Sequence, residues 1–178
     1  MSSDSSITVA YVSRFGTTAR LAKQLCAGLA SSGVTPQLLD VSSKSTVPLQ
    51  PLVLLTPIIW DRPIPAMREW IAANSKLIQE HIVASGVVCG AAGVRETGGM
   101  VYARQLAKRI GRPDVFQFAL SGEIPSRDKL RGWEWRALRI FAGIMRQPKL
   151  FTIRADEAKA RKIGSQIAAL RGLRAGVE

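Results

Sequence analysis

A short polar loop with one glycine stands between an apolar segment and a helical pattern near the start of the sequence. The segment ITVAYV covers residues 7–12, and the loop after it contains Ser13, Gly16, Thr17 and Thr18. If a helix begins at the threonines, its first amides are unpaired donors at the positive end of the helix dipole. Such a loop can hold a phosphate through amides and hydroxyls without a metal. Ordinary helix capping uses the same residue types, so the loop alone leaves both interpretations open.

Two further loops carry residue types that suit a planar ring. The segment TPIIWDRP, residues 56–63, places Trp60 just beyond a predicted buried strand, where an indole can stack on a ring. The segment GAAGVRETGG, residues 90–99, is rich in small residues whose amides can approach a ring edge. Core packing of Trp60 and plain turn chemistry are the alternatives. Asp61 reads as a loop-surface carboxylate, and we predict no catalytic residue.

An alternation of strands and helices has to position these loops. The predicted strands are 7–12, 35–41, 52–56, one within 84–93 that ends near Cys89, and 115–120. The predicted helices between them are 17–32, 65–81 and 98–111, with Met67, Trp70, Ile71 and Leu77 as core candidates of the second. This alternation predicts an α/β fold, a doubly wound five-stranded parallel sheet of order 2-1-3-4-5 with helices on both faces. Ligands of such sheets bind beyond the carboxyl ends of the strands, where the three loops meet.

We expect one domain over residues 1–178, with a basic helical segment from about residue 121. A helix is predicted over 131–146, with Trp133, Ala137, Ile140, Phe141 and Ile144 on one face and arginines on another. KLFTI, residues 149–153, is predicted as a short strand or extended piece. The last helix is predicted over 155–171, with Ile163, Ile167 and Leu170 facing inward.

The positive charge is concentrated at the C-terminal end of the sequence. Residues 129–178 contain 12 Lys and Arg against 4 Asp and Glu, and so carry +8 of the net +12. Such asymmetry indicates an anionic partner, although a solvated basic face is the alternative. Aromatic residues make up only 6% and no recognition motif is present, so we expect no nucleic acid.

Composition excludes several kinds of site. Two cysteines and one histidine give no disulfide framework, no metal spacing and no histidine-based catalytic triad. We therefore predict no metal, and we expect Cys26 and Cys89 to be buried thiols of a cytosolic protein.

No apolar run approaches the roughly 20 residues that span a bilayer. The N-terminal MSSDSSITVAYVS lacks a basic region before its apolar stretch, so we expect no secretory signal.

The segment SRFGTT, residues 13–18, resembles the phosphate loop S/T-x-T-G-x-T of flavodoxins, which holds the phosphate of FMN. Ser13, Gly16 and Thr18 match this motif, whereas Phe15 stands where the middle threonine is usual. The resemblance implies a flavodoxin-like fold with FMN as cofactor. The residues that it implies in cofactor binding are Ser13, Arg14, Phe15, Gly16, Thr17, Thr18, Pro57, Ile58, Ile59, Trp60, Asp61, Ala91, Ala92, Gly93 and Val94.

A narrower resemblance covers nearly the whole chain. The segments LTPIIWDRPIPAMREWI (55–71) and VYARQLAKRI (101–110) are similar to segments of the flavodoxin-like, quinone-dependent protoporphyrinogen oxidases. Their long basic insertion is absent, and SGEIPS (121–126) replaces their usual Arg-Tyr pair. The resemblance implies an FMN-dependent oxidoreductase of heme biosynthesis that passes electrons from a reduced organic substrate to a quinone. A flavodoxin-like electron carrier and a binding module that has lost FMN are the alternatives.

The same resemblance implies a set of partners. The electron acceptor would be a quinone or a redox protein. The basic helix 131–146 would make a peripheral contact with an anionic membrane, its arginines near headgroups and Trp133 or Trp135 at the interface. The expected location is cytoplasmic, at the inner face of the membrane. The alternative is that the apolar face of this helix covers the edge of the sheet.

Overall fold

Parallel strands and helices alternate along the chain in the computed structural model, which describes residues 6–43, 46–90, 92, 98–144 and 151–175. The strands are β1 (Ser6–Tyr11), β2 (Thr35–Asp40), β3 (Leu52–Ile59), β4 (Arg62–Pro63), β5 (Ile82–Cys89) and β6 (Phe116–Ser121). The helices are α1 (Thr17–Ala30), α2 (Pro65–Ala73), α3 (Ser75–His81), α4 (Gly98–Ile110), α5 (Gly132–Ile144) and α6 (Glu157–Ala175). Short 3-10 turns cover Val41–Ser43 and Arg127–Lys129.

The strand order is β2-β1-β3-β5-β6, with all neighbours parallel. This confirms the predicted doubly wound order, because these five strands are the five predicted from the sequence. β3 extends to Ile59, beyond its predicted end at residue 56. The reason is a small antiparallel ribbon, in which β4 pairs Ile58 with Pro63 and Ile59 with Arg62. The ribbon carries the chain directly into the loop that contains Trp60.

Two apolar clusters lie on the two faces of the sheet. One packs residues of α2, α3 and α4, including Met67, Trp70 and Leu106, against the sheet. The other packs residues of α1 and α6, including Leu25 and Ile163, against the opposite face. Helices therefore cover both faces, which is what strands apolar on both sides require.

α1 and α6 approach each other through two glycines. A Cβ atom on Gly28 would lie 1.9 Å from the carbonyl oxygen of Arg161, and one on Gly164 would lie 2.2 Å from that of Leu25. Both contacts are to backbone, so a larger side chain can be accommodated only by moving the helices apart. This close approach fixes α1 against the sheet, and with it the loop at the N-terminus of α1.

Several predicted details are wrong. The helix expected over 65–81 is divided at Asn74, after which Ile78 is buried and Leu77 is exposed. Leu170 is exposed, although Ile163 and Ile167 are buried as expected. Phe151 and Thr152 form a helical turn rather than a strand, and the rest of KLFTI up to residue 150 lies outside the described residues. Asn74 ends α2 because its side-chain amide donates to the carbonyl of Trp70, 2.9 Å away, and competes with a continuing helix.

The predicted apolar face of α5 faces solvent. Trp133, Ile140 and Ile144 are 58%, 63% and 74% exposed, and the buried residues of the helix are Glu134 and Ala142. The alternative that this face covers the edge of the sheet is therefore wrong. α5 instead turns Glu134, Leu138 and Phe141 towards a cavity at the end of the sheet.

No helix in the described part of the chain combines the length and the apolar character that crossing a membrane requires.

Candidate functional site

A cavity of about 250 Å³ lies at the carboxyl ends of the strands. Its walls come from the loops after β1, β3, β5 and β6 and from one face of α5. The lining residues are Ser13, Arg14, Phe15, Thr17, Thr18, Pro57, Ile58, Ile59, Trp60, Asp61, Val88, Cys89, Gly90, Tyr102, Gly122, Glu123, Ile124, Pro125, Leu130, Glu134, Leu138 and Phe141. This is the edge at which doubly wound sheets bind ligands.

The first loop turns into α1 through a left-handed glycine. Gly16 has a φ angle of 91° and is the N-cap of α1, with its carbonyl accepting from the amide of Arg20 at 3.0 Å. A Cβ atom there would meet nothing within 4 Å, so the backbone conformation alone favours glycine. The Gly16 amide donates to Ser13 Oγ at 3.1 Å, which closes the loop on itself.

A carboxylate of this chain stands at the N-terminus of α1. Glu123 Oε1 accepts from Thr17 Oγ1 at 3.3 Å and from Arg20 Nη2 at 2.8 Å. Arg20 also pairs with Glu157, with Nε 2.7 Å from Oε1. Burial would raise the pKa of Glu123, but the Arg20 contact and the Thr17 hydroxyl outweigh it and lower the pKa. The Thr17 hydroxyl and Arg20 therefore hold a negative charge beside the first residue of α1.

Arg14 joins the first loop to α5. Its Nη1 atom lies 2.8 Å from Glu134 Oε1, and its guanidinium lies over the Phe15 ring, 4.6 Å from the centroid. The other oxygen of Glu134 accepts from the Arg131 amide at 3.0 Å, as in the acidic half of a capping box. Burial would raise the pKa of Glu134, but the Arg131 amide and then Arg14 outweigh it and lower the pKa. A charged side chain is thus buried because both of its oxygens have partners.

Trp60 projects from the second loop rather than into the core. It is 46% exposed, and its φ angle of 51° is rare for a bulky residue. Its indole stacks on that of Trp133, with ring centroids 6.3 Å apart and an interplanar angle of 18°. The alternative that Trp60 packs in the core is therefore wrong. The loop presents an aromatic face at the mouth of the cavity.

Asp61 is fixed by Tyr102, a contact that the sequence did not predict. Asp61 also has a positive φ angle, 62°, and its carboxylate accepts a hydrogen bond from the Tyr102 hydroxyl on α4. This bond, followed by burial, raises the pKa of Tyr102 to about 12. The strained pair of Trp60 and Asp61 is thus held from outside its own loop, as such conformations require.

Ten of the fifteen residues predicted for cofactor binding line the cavity. They are Ser13, Arg14, Phe15, Thr17, Thr18, Pro57, Ile58, Ile59, Trp60 and Asp61. Gly16 shapes the loop without lining the cavity. Ala92 packs beside Gly99 against the core, whereas Ala91, Gly93 and Val94 lie outside the described residues.

Tyr102, Glu123 and Glu134 are the polar residues that the sequence interpretation missed. Glu123 belongs to the SGEIPS segment, which stands out in the sequence only as a departure from a family pattern. Glu134 lies three residues after Arg131, the spacing of the acidic half of a capping box, but Arg131 is not one of the residues that mark a helix start in sequence. Tyr102 lies in the YAR segment, yet nothing in one sequence places its hydroxyl beside Asp61.

Metal and thiol chemistry receive no support in the described part of the chain. No group of three or more His, Cys, Asp or Glu there is arranged to hold a metal ion. Cys26 and Cys89 are both buried, as predicted, and burial raises the pKa of the Cys26 thiol to about 11. A thiol with so high a pKa is a poor nucleophile at neutral pH.

The sequence matches no protein-family profile, and no curated protein matches it. The structure, in contrast, is similar to several solved structures. A flavodoxin from the domain Archaea has 14% identity and a TM-score of 0.56, over 92% of this chain and 96% of that chain. An NAD(P)H:quinone oxidoreductase from Methanothermobacter marburgensis has 15% identity and a TM-score of 0.51, over 90% of this chain and 97% of that one.

A larger protein contains the same fold as one part. The flavodiiron protein from Giardia intestinalis has 12% identity and a TM-score of 0.55, over 93% of this chain but only 36% of its own. This chain therefore spans about a third of the length of that relative. At these identities the likeness concerns the fold alone. The strand order, the helices on both faces and these neighbours together identify the fold of this chain as flavodoxin-like.

Proposed function

We propose that this chain is an FMN-dependent oxidoreductase that holds FMN in the cavity at the carboxyl edge of the sheet. The observation that carries this proposal is the pairing of two features at one cavity. The loop at the N-terminus of α1 offers amides and hydroxyls, and the exposed indole of Trp60 offers a stacking face. Redox proteins among the structural neighbours add weight to a redox role.

The residues of the ring end fit a flavin. Ile58, Ile59 and Trp60 line the cavity with apolar and aromatic surface, which suits a planar, largely apolar ring. The indole of Trp60 already stacks on that of Trp133, so Trp60 can pair with another planar group. An isoalloxazine that took the same face would replace one aromatic contact with another.

The backbone of the loop at 13–18 suits the phosphate of FMN. The loop at 13–18 would hold a phosphate through the first amides of α1 and the hydroxyls of Ser13, Thr17 and Thr18, which line the cavity or its rim. Ser13 accepts from the Gly16 amide and so keeps its own proton to donate. Glu123 does not suit a phosphate at this place, because its carboxylate is negatively charged and already contacts the Thr17 hydroxyl.

The protein residues would bind and orient the cofactor. Bound FMN would supply the one- and two-electron redox chemistry. The three lining carboxylates are each engaged, Asp61 by Tyr102, Glu123 by Thr17 and Arg20, and Glu134 by Arg14. We therefore assign none of them as a general acid or base.

The test of the proposed function is reconstitution followed by turnover. Purified protein is incubated with FMN, freed of excess by gel filtration, and examined for a bound flavin spectrum. We expect bound flavin that is reduced anaerobically by dithionite and reoxidised by a soluble quinone faster than free FMN at equal concentration. Protein that remains colourless at high FMN concentration would contradict the proposal and support a binding module that has lost FMN.

The reducing substrate is the finer part of the proposal. The resemblance favours protoporphyrinogen, and oxidation of protoporphyrinogen can be followed by the fluorescence of the porphyrin that forms. Formation above the rate with free FMN would support that substrate. If the holoprotein exchanges electrons with redox proteins but turns over no small substrate, the electron-carrier alternative is favoured instead.

A membrane contact through α5 is a second element of the proposal. Trp133, Ile140 and Ile144 are exposed, and Arg136 and Arg139 on the same helix are exposed as well. Apolar side chains beside arginines are typical of helices that lie in an anionic lipid interface. Such a contact would place the mouth of the cavity close to a lipid-soluble quinone.

A further inference from the structure

The cavity is acidic although the chain is strongly basic. The chain has a net charge of +12, yet the charged residues among the described cavity walls are one arginine and three carboxylates. They are Arg14, Asp61, Glu123 and Glu134. The excess of positive charge therefore lies elsewhere on the molecule, and the cavity opposes an anionic ligand.

Glu123 is the cavity carboxylate that contacts the first residue of α1. Its Oε1 atom is 3.3 Å from Thr17 Oγ1, the hydroxyl of the first residue of α1. The Thr17 hydroxyl has one proton to donate, and it is directed to Glu123. A phosphate bound at the same helix end would lose this donor and would lie close to a negative charge.

The neighbouring cations are also neutralised by carboxylates. Arg20 bridges Glu123 and Glu157 at 2.8 Å and 2.7 Å. Arg14 pairs with Glu134 at 2.8 Å. A phosphate dianion that approached the loop would have to compete with these carboxylates for the two guanidiniums.

We propose that Glu123 is a specificity-determining residue that selects against a phosphate at the N-terminus of α1. This inference rests on the proposed function, since it concerns which flavin the cavity prefers. It implies that the ring supplies most of the affinity and that riboflavin binds nearly as tightly as FMN. The riboflavin:FMN affinity ratio isolates the phosphate, because the two ligands share the same ring.

The first test compares Glu123→Gln with wild type. We expect FMN to bind about tenfold more tightly to the variant, because a nearby like charge is removed, while riboflavin affinity changes less than about twofold. The matched control is Glu157→Gln, which loses a partner of Arg20 but lies outside the cavity walls and does not contact Thr17. An unchanged FMN:riboflavin ratio in Glu123→Gln, or an equal change in the control, would overturn the assignment.

The second test needs no flavin. Thermal unfolding is followed with inorganic phosphate or with sodium chloride at equal ionic strength. We expect phosphate to raise the melting temperature of Glu123→Gln by more than that of wild type or Glu157→Gln. If no variant binds any flavin, the proposed function fails while this comparison still decides the role of Glu123. An equal response of all three proteins to phosphate would overturn that role.

Discussion

Glu134 is a buried carboxylate that ties a helix to a loop. One oxygen contacts Arg14 and the other accepts from the Arg131 amide, so the residue both caps α5 and connects it to the loop at 13–18. Truncation of Glu134 should lower the free energy of unfolding, because the Arg131 amide would lose its hydrogen-bond acceptor. Arg14 is partly exposed and can turn to solvent, which limits the cost of losing the ion pair.

We predict that Glu134→Gln lowers the free energy of unfolding at neutral pH by about 1 kcal/mol, since the amide keeps a cap but loses the ion pair. The pKa of Glu134 is lowered in the folded protein, so its stabilisation is present above the unfolded pKa and is lost as pH falls through the folded pKa. The difference between wild type and variant should therefore shrink in acid.

Urea unfolding at pH 7 and at pH 3 checks this prediction. Glu80→Gln, at an exposed position on α3, serves as the control and should change stability little. A difference between wild type and Glu134→Gln that is as large at pH 3 as at pH 7 would contradict the electrostatic account.

The packing of α1 on α6 positions the loop at 13–18, and it depends on two glycines. Gly28 and Gly164 leave no room for a Cβ atom, because backbone atoms of the opposite helix lie 1.9 Å and 2.2 Å from where one would stand. Helix propensity alone would favour alanine over glycine by about 1 kcal/mol. Packing therefore predicts that a Gly→Ala substitution at either position lowers the free energy of unfolding, whereas helix propensity predicts that it raises it.

We predict that Gly164→Ala lowers the free energy of unfolding by about 1–3 kcal/mol, because the helices must separate. Gly143→Ala in α5 is the matched control. A Cβ atom there would meet nothing within 4 Å, so propensity should dominate and raise stability by about 0.5–1 kcal/mol. Thermal or urea unfolding measures both, and stabilisation of Gly164→Ala would show that the helices are not packed as described.

Hydrophobic periodicity predicted which segments are strands and which are helices, but it did not predict which face of α5 is buried. The five strands of the sheet and the helices between them were predictable because apolar runs and helical stripes depend on local sequence. In α5, packing of the apolar stripe through Ile140 and Ile144 on the sheet was the alternative that the sequence left open, yet it is Glu134 that faces inward. The reason is Arg14, which lies about 120 positions earlier in the chain and pairs with that carboxylate. Periodicity contains no information about such a distant partner.

The site was predictable to the extent that its loops are contiguous in sequence. SRFGTT and TPIIWDRP each supply consecutive lining residues, so motif and strand position sufficed to find them. Glu123 joins the site from the segment after β6 and Tyr102 from α4, and only the three-dimensional fold brings them to Thr17 and Asp61. The sequence therefore predicted the first two loops of the site, but not the segment after β6, the contribution of α5 or the acidic character of the cavity.

Charge and apolar surface are distributed unevenly over the whole molecule. The C-terminal part of the chain carries most of the excess positive charge, and α5 presents exposed apolar residues. The cavity walls, in contrast, carry three carboxylates and one arginine. This arrangement separates the surface that we propose to contact anionic lipid from the cavity that we propose to hold an uncharged ring.

We predict that the protein sediments with vesicles of phosphatidylcholine that contain phosphatidylglycerol, and less with phosphatidylcholine alone. Each basic residue near an anionic surface contributes roughly 1 kcal/mol, so added salt should release the protein. Ile140→Ser should reduce the bound fraction severalfold. Leu49→Ser, at a residue that is 77% exposed outside α5, should not. Equal binding of both variants would contradict a contact through α5.

The central claim is that a flavin ring occupies the cavity beside Trp60. The most direct measurement is a titration of FMN with purified protein, followed by quenching of flavin fluorescence, for wild type and for Trp60→Ala. We expect saturable binding to wild type at micromolar concentration. Loss of the stacking face should weaken binding to Trp60→Ala by about 1 kcal/mol or more, or about fivefold or more in dissociation constant. No saturable quenching with wild type, or equal affinity in the two proteins, would contradict the account.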